Sequence, residues 1–135
     1  MDKQVSTFPY QYKRSDFGKV ANPLILLPTK IQGGWQNLWY LLDSGADATM
    51  ISISLAEKLG ITFNRHIKTK LYGIGEQAVY ASPGEITIKI GQKEYRVRTY
   101  FDYSKESTLL LGRIDIFDKF TITFDKNKKE IIFQE

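Results

Sequence analysis

Apolar residues recur at every second position through much of this chain, and glycine or proline interrupts the runs every few residues. Ile86, Ile88 and Ile90 alternate with Thr87 and Lys89. Tyr95, Val97, Thr99 and Phe101 alternate with charged or polar neighbours, and Ile122 and Phe124 repeat the pattern. A period of two lines one face of a strand, whereas a helix needs about 3.6. Many short runs of this kind predict a mainly β domain with one or two short helices.

Punctuation residues divide the rest. Pro23–Pro28 reads as an apolar strand fenced by prolines. Gly33-Gly34 is a turn, and Trp35–Leu42 is the next strand. Its second half, Leu38 to Leu42, is apolar at every position, the mark of a strand buried on both faces. Met50-Ile51 is a further short piece. Ser54 and Glu57 have capping-box spacing and predict a helix of about two turns ending at Gly60. Lys68–Tyr72 and Gln77–Ser82 flank Gly73-Ile74-Gly75 as a hairpin, and Gly91-Gln92 suits a two-residue turn. Leu109–Leu111 is a second wholly apolar run, closed by Gly112-Arg113. Ile114 and Phe117, one helical turn apart, predict a second short helix. Ile131–Phe133 forms the last strand, after a turn at 125–128. Residues 1–22, polar and aromatic by turns, read as an N-terminal arm with one strand at Thr7–Tyr12, and residues 23–135 as one domain.

Composition removes several chemistries. A chain of 135 residues can bury a core without staples. Cysteine is absent, so disulfides, a thiol nucleophile and Cys-ligated metals are excluded. His66 is the one histidine, and it reads as a surface residue rather than a ligand. No cofactor or metal is expected. The formal charge of +4 is mild. The basic turn at Lys126–Lys129 has no interleaved aromatics and reads as a solvated hairpin tip, so a nucleic-acid binder is a third reading that only the basic charge keeps open. Gly73-Ile74-Gly75 lacks the third glycine and following helix of a dinucleotide site. The first residues are polar, and no apolar run approaches the roughly 20 residues that span a bilayer. The expectation is no membrane and a cytoplasmic location.

Asp43 is the residue that needs explaining. A carboxylate at the end of an apolar strand costs several kcal/mol of desolvation unless it is partnered. Gly45 lets the backbone turn tightly there, and Ser44 adds a hydroxyl able to donate and accept. Taken alone, Asp43-Ser44-Gly45 fits a turn that merely ends a strand. Its surroundings change the reading. Leu41-Leu42-Asp43-Ser44-Gly45-Ala46-Asp47-Ala48-Thr49-Met50-Ile51-Ser52 resembles the active-site segment of the retropepsin-like aspartic proteases. Leu110-Leu111-Gly112-Arg113 resembles their second signature, and Tyr72–Glu76 sits where the family carries its flap hairpin. The resemblance spans residues 22–135, and its tail is most similar to microbial single-domain members.

That resemblance implies a closed, barrel-like acid-protease fold and an aspartic endopeptidase acting on peptide or protein substrates. Such hydrolysis needs two carboxylates sharing one proton. One Asp-Ser-Gly is present, so the second aspartate is expected from a second copy, making a homodimer. By resemblance Asp43, Ser44 and Gly45 are the catalytic segment, with the Ser44 hydroxyl bonding to the partner's loop. Ala46, Asp47, Gly73, Ile74 and Gly75 would line the bound peptide. Leu111, Gly112 and Arg113 would support the loop, with the Arg113 guanidinium on Asp47. Outside the resemblance, Arg113 is a solvated start to a helix and Gly73–Gly75 a plain hairpin tip. Ala48 stands where viral members often carry a second acid, and residues 1–22 have no viral counterpart. In the family the terminal strands of two subunits pair, which offers Ile131–Phe133 a place. The other arrangement makes it an edge strand of its own subunit, covered by the arm. The alternative function is a non-catalytic dimerisation or peptide-binding module of the same fold, with Asp43 purely structural.

Overall fold

The computed structural model describes residues 3–72, 78–104 and 108–135. The alternating runs become strands β1 (Gln4–Pro9), β2 (Gln11–Ser15), β3 (Gly18–Asn22), β4 (Leu24–Ile31), β5 (Gly34–Leu42) and β6 (Thr49–Ser52). Helix α1 (Ile53–Leu59) follows. Then come β7 (Thr69–Tyr72), β8 (Ala78–Ile90), β9 (Lys93–Asp102), β10 (Leu109–Leu111), β11 (Thr121–Asp125) and β12 (Glu130–Gln134).

Seven strands form the main sheet in the order β4-β5-β10-β6-β9-β8-β7. An extra pairing of Thr29 with Ile88 joins β4 to β8, so the sheet curls back on itself. The fold is thus mainly β and barrel-like. Its core takes one face of each alternating run: Ile25 and Leu27, Ile86, Ile88 and Ile90, Val97 and Phe101. Burying such a side chain is worth about 1.5–3 kcal/mol. Tyr40 is wholly buried, and its hydroxyl meets Thr29 Oγ1 at 2.6 Å. Burial pushes its phenol up to about 12, against the opposing Thr29 bond.

Four local expectations change. Leu38–Leu42 alternates after all: Leu38, Tyr40 and Leu42 are buried, but Trp39 is 48% exposed. The outer face of β5 is therefore uncovered within this chain. The helix begins two residues earlier than the capping-box spacing suggests. Ser52, extended at the end of β6, is its N-cap and accepts from Leu55 N–H at 3.3 Å. Gly60 closes it at φ 68°, as expected. Ile114 and Phe117 do not sit on a regular helix. Ile114 is extended and Asp115 left-handed at φ 70°, because the N–H groups of Arg113 and Ile114 bond to Ala46 and Asp47 carbonyls at 2.9 Å each. Lastly, the run ending at Ser82 and the Ile86–Ile90 run merge: β8 continues unbroken through Pro83-Gly84, pairing with β9 from Ala81 to Ile90.

The first 22 residues hold three strands where one was expected. β1 pairs with β12, and β12 with β11, in a separate three-stranded sheet. The C-terminal strand is the middle one, with both edges occupied by its own chain. β2 and β3 form a third sheet by themselves.

Candidate active site

β10 lies between β5 and β6, parallel to the first and antiparallel to the second. Leu110 and Leu111 pair with Leu41 and Leu42, so β5 and β10 end side by side. Both apolar runs are interior strands of the main sheet. Their ends deliver Asp43 and Gly112 to one point, where Asp43 N–H donates to the Leu111 carbonyl at 3.0 Å.

Asp43 is half-buried. Its Oδ1 accepts from Gly45 N–H at 3.0 Å, and its carbonyl accepts from Ala46 N–H at 3.2 Å. The loop turns on these two bonds, and the bond to Gly45 is the strand-ending turn that Asp-Ser-Gly suggests by itself. Ser44, Gly45 and Asp47 are exposed and Ala46 is half-buried, giving an accessible rim beside the carboxylate.

The second segment clamps this loop. Arg113 Nη1 donates to the Ser44 carbonyl at 2.9 Å, and Nη2 pairs with Asp47 Oδ1. Its backbone N–H donates to Ala46, as noted, so one residue grips three loop positions. An exposed ion pair contributes little stability, about 0–1 kcal/mol. The value of Arg113 lies in position, since its planar fork spans a carbonyl and a carboxylate together. Gly112 makes the close approach possible: a Cβ there would fall 2.4 Å from the Ala48 carbonyl carbon and oxygen.

Asp43, Ser44, Gly45, Ala46 and Asp47 are thus brought together with Leu111, Gly112 and Arg113. Gly73, Ile74 and Gly75 lie outside the described residues. The strands that flank them, β7 and β8, pair as far as Tyr72 and Ala78. His66 is exposed in a loop.

Two supports escaped the sequence reading. Buried Thr49 Oγ1 accepts from Gly112 N–H at 3.2 Å and fixes the two segments to each other. Arg98 on β9 donates from Nε and Nη2 to both oxygens of Asp115, at 3.0 and 2.8 Å, and from its backbone N–H at 2.9 Å. The side-chain bonds from Arg98 hold the Asp115 carboxyl below the usual carboxylate range, against partial burial. This bridge ties the turn carrying Arg113 to the barrel wall. Thr49 stood within the quoted motif, so a signal existed. The Arg98–Asp115 bridge joins distant segments, and no local pattern announces it.

Residues 27–113 match the aspartyl protease family, and the chain belongs to that family; its fold is retropepsin-like. A retropepsin-like aspartic protease from Rickettsia conorii superposes with a TM-score of 0.56 at 17% identity, over 94% of both chains. EIAV protease in complex with the inhibitor HBY-793 superposes with a TM-score of 0.51 at 24% identity, over 68% of this chain and 82% of that one. No curated protein matches by sequence. Among the described residues no helix is long and apolar enough to cross a membrane.

Proposed function

We propose that the protein is an aspartic endopeptidase that works as a homodimer, with the two Asp43 carboxylates flanking one water. The observation that carries this reading is the clamped loop: a half-buried aspartate at the end of paired central strands, fixed by Arg113 through Ser44, Ala46 and Asp47. Such rigid placement is what a positioned acid–base pair requires.

The chemistry follows from sharing one proton. The ionised carboxylate takes a proton from water as its oxygen attacks the peptide carbonyl carbon. The protonated one donates to the carbonyl oxygen, giving a neutral gem-diol. Collapse then breaks the C–N bond as a proton passes to the leaving nitrogen. In the dimer the Ser44 hydroxyls would bond across the twofold axis to the opposite loop. Asp47, Gly45 and the 73–75 segment would receive the substrate backbone as an added strand.

The test is Asp43→Asn. Asparagine keeps the acceptor for Gly45 N–H, so the loop and melting temperature should persist. Hydrolysis of a peptide library should fall by about 10²–10⁴ or more. The bond from Gly45 also suits the non-catalytic module, in which Asp43 only shapes the turn. Wild-type protein without peptidase activity at any pH, yet dimeric, would favour that module.

A further inference from the structure

The hairpin of β2 and β3 has no evident role within its own chain. Among the described residues it forms an isolated two-stranded sheet with little packing on other strands or helices, and Tyr12 meets the Tyr10 ring edge-on at 6.2 Å. Every residue from Tyr12 to Ala21 is exposed. Among them Phe17 is 100% exposed, and Tyr12 and Val20 are 41% exposed each. Two-stranded hairpins are marginal in water by themselves, and an aromatic at a bare tip gains nothing from solvent.

Its root is close to the catalytic loop. β3 ends at Asn22, and the next residue, Pro23, accepts from Leu42 N–H at 2.8 Å, one residue before Asp43. β4 starts where β5 ends, with Leu24 opposite Leu41. The hairpin precedes β4, so it leaves the body at the Asp43 end of the sheet. Five residues per strand reach about 17 Å. A second Asp43 must lie within a few ångströms of the first, about 3 Å in such dyads. The arm is therefore rooted beside the place where a second copy has to begin.

The C-terminal strand points the same way. β12 has both edges filled by β1 and β11, so it has no free edge for its twin. The turn is built to present its tip: Ser15 Oγ donates to the Gly18 carbonyl at 2.8 Å and accepts from Phe17 N–H at 3.1 Å. Lys19 lies over the Tyr12 ring at 4.0 Å.

We infer that the β2–β3 hairpin is a clasp that inserts into a second copy of this chain beside that copy's Asp43 loop, with Phe17 leading and Tyr12 and Val20 engaged from opposite faces of the ribbon. The inference rests on the homodimer reading and specifies which element makes the dimer. Its test is the triple variant Tyr12→Ser, Phe17→Ser, Val20→Thr. All three sites are exposed, so the fold should be unaffected. Sedimentation should show the dimer dissociation constant raised about a hundredfold or more. Activity lost at low concentration should return at high concentration. Hydrogen exchange on the unaltered chain should show hairpin amides protected only when the protein is concentrated. A wild-type dimer that cleaves peptide, with a triple variant of equal dimer affinity, overturns the clasp alone. Loss of binding to phosphatidylserine vesicles with dimerisation untouched also overturns it, in favour of a membrane. Wild-type protein that stays monomeric at high concentration overturns the clasp and the homodimer together.

Discussion

Arg113 meets the Asp43 loop with its backbone N–H and with both ends of its guanidinium. Lysine keeps the charge but has no fork to span Ser44 and Asp47. Arg113→Lys is expected to lower kcat/KM about tenfold or more while moving stability by less than about 1 kcal/mol. Steady-state kinetics beside thermal melting would check this, and equal losses in both would contradict it. Tyr40 offers a test of the barrel itself. Its phenol is neutral in the fold up to about 12, against about 10 in the unfolded chain. Unfolding therefore releases a proton between those values. The contribution is complete below about 10 and is lost as pH rises toward about 12. Tyr40→Phe should cost about 1 kcal/mol near neutral pH, because Thr29 loses its shorter bond and keeps the one to the Leu27 carbonyl. That deficit should shrink on the alkaline side, as urea titrations would show; parallel curves would contradict the assignment. At this scale the sequence was informative where chemistry is local. Asp43–Asp47 and Gly112–Arg113 are contiguous, so their residue types advertise the loop and its clamp. Asp115 carries no such local signal, because its partner Arg98 is 17 positions away on β9.

Elements were legible wherever a run alternates and a glycine ends it. Gly91-Gln92 does join β8 to β9, with Ile90 opposite Lys93, and Gly60 does stop α1. The misreadings have a common cause: the decisive bonds come from outside the segment. Ser54 has the capping spacing, but Ser52 already holds extended backbone as the last residue of β6 and takes the cap. Ser52→Ala should cost about 1 kcal/mol, and Ser54→Ala much less. Chemical denaturation of both variants would decide, and a larger loss at Ser54 would contradict the cap. Arg113–Phe117 fails to be a helix because its first N–H groups are committed to the Asp43 loop. Trp39, in a run that reads as doubly buried, is exposed on β5. An apolar residue left on the surface looks the same in sequence as a core residue.

For the whole molecule, the barrel-like sheet and the acid-protease signatures were expected from the sequence, whereas the separate sheet β1-β12-β11 was not. Strand order depends on long-range pairing, which local patterns do not encode. The assembled picture is a one-lobed aspartyl protease fold presenting one Asp43 loop, with an unpartnered hairpin rooted next to it. In the proposed enzyme one active site takes an Asp43 from each of two chains. Mixing fixed wild-type protein with growing amounts of Asp43→Asn chains, under conditions of subunit exchange, tests that directly. Mixed dimers would hold one aspartate and be inactive, so activity should fall to about half at equal parts and keep falling with excess. Activity that stays constant however much of the variant is added would show that one chain suffices.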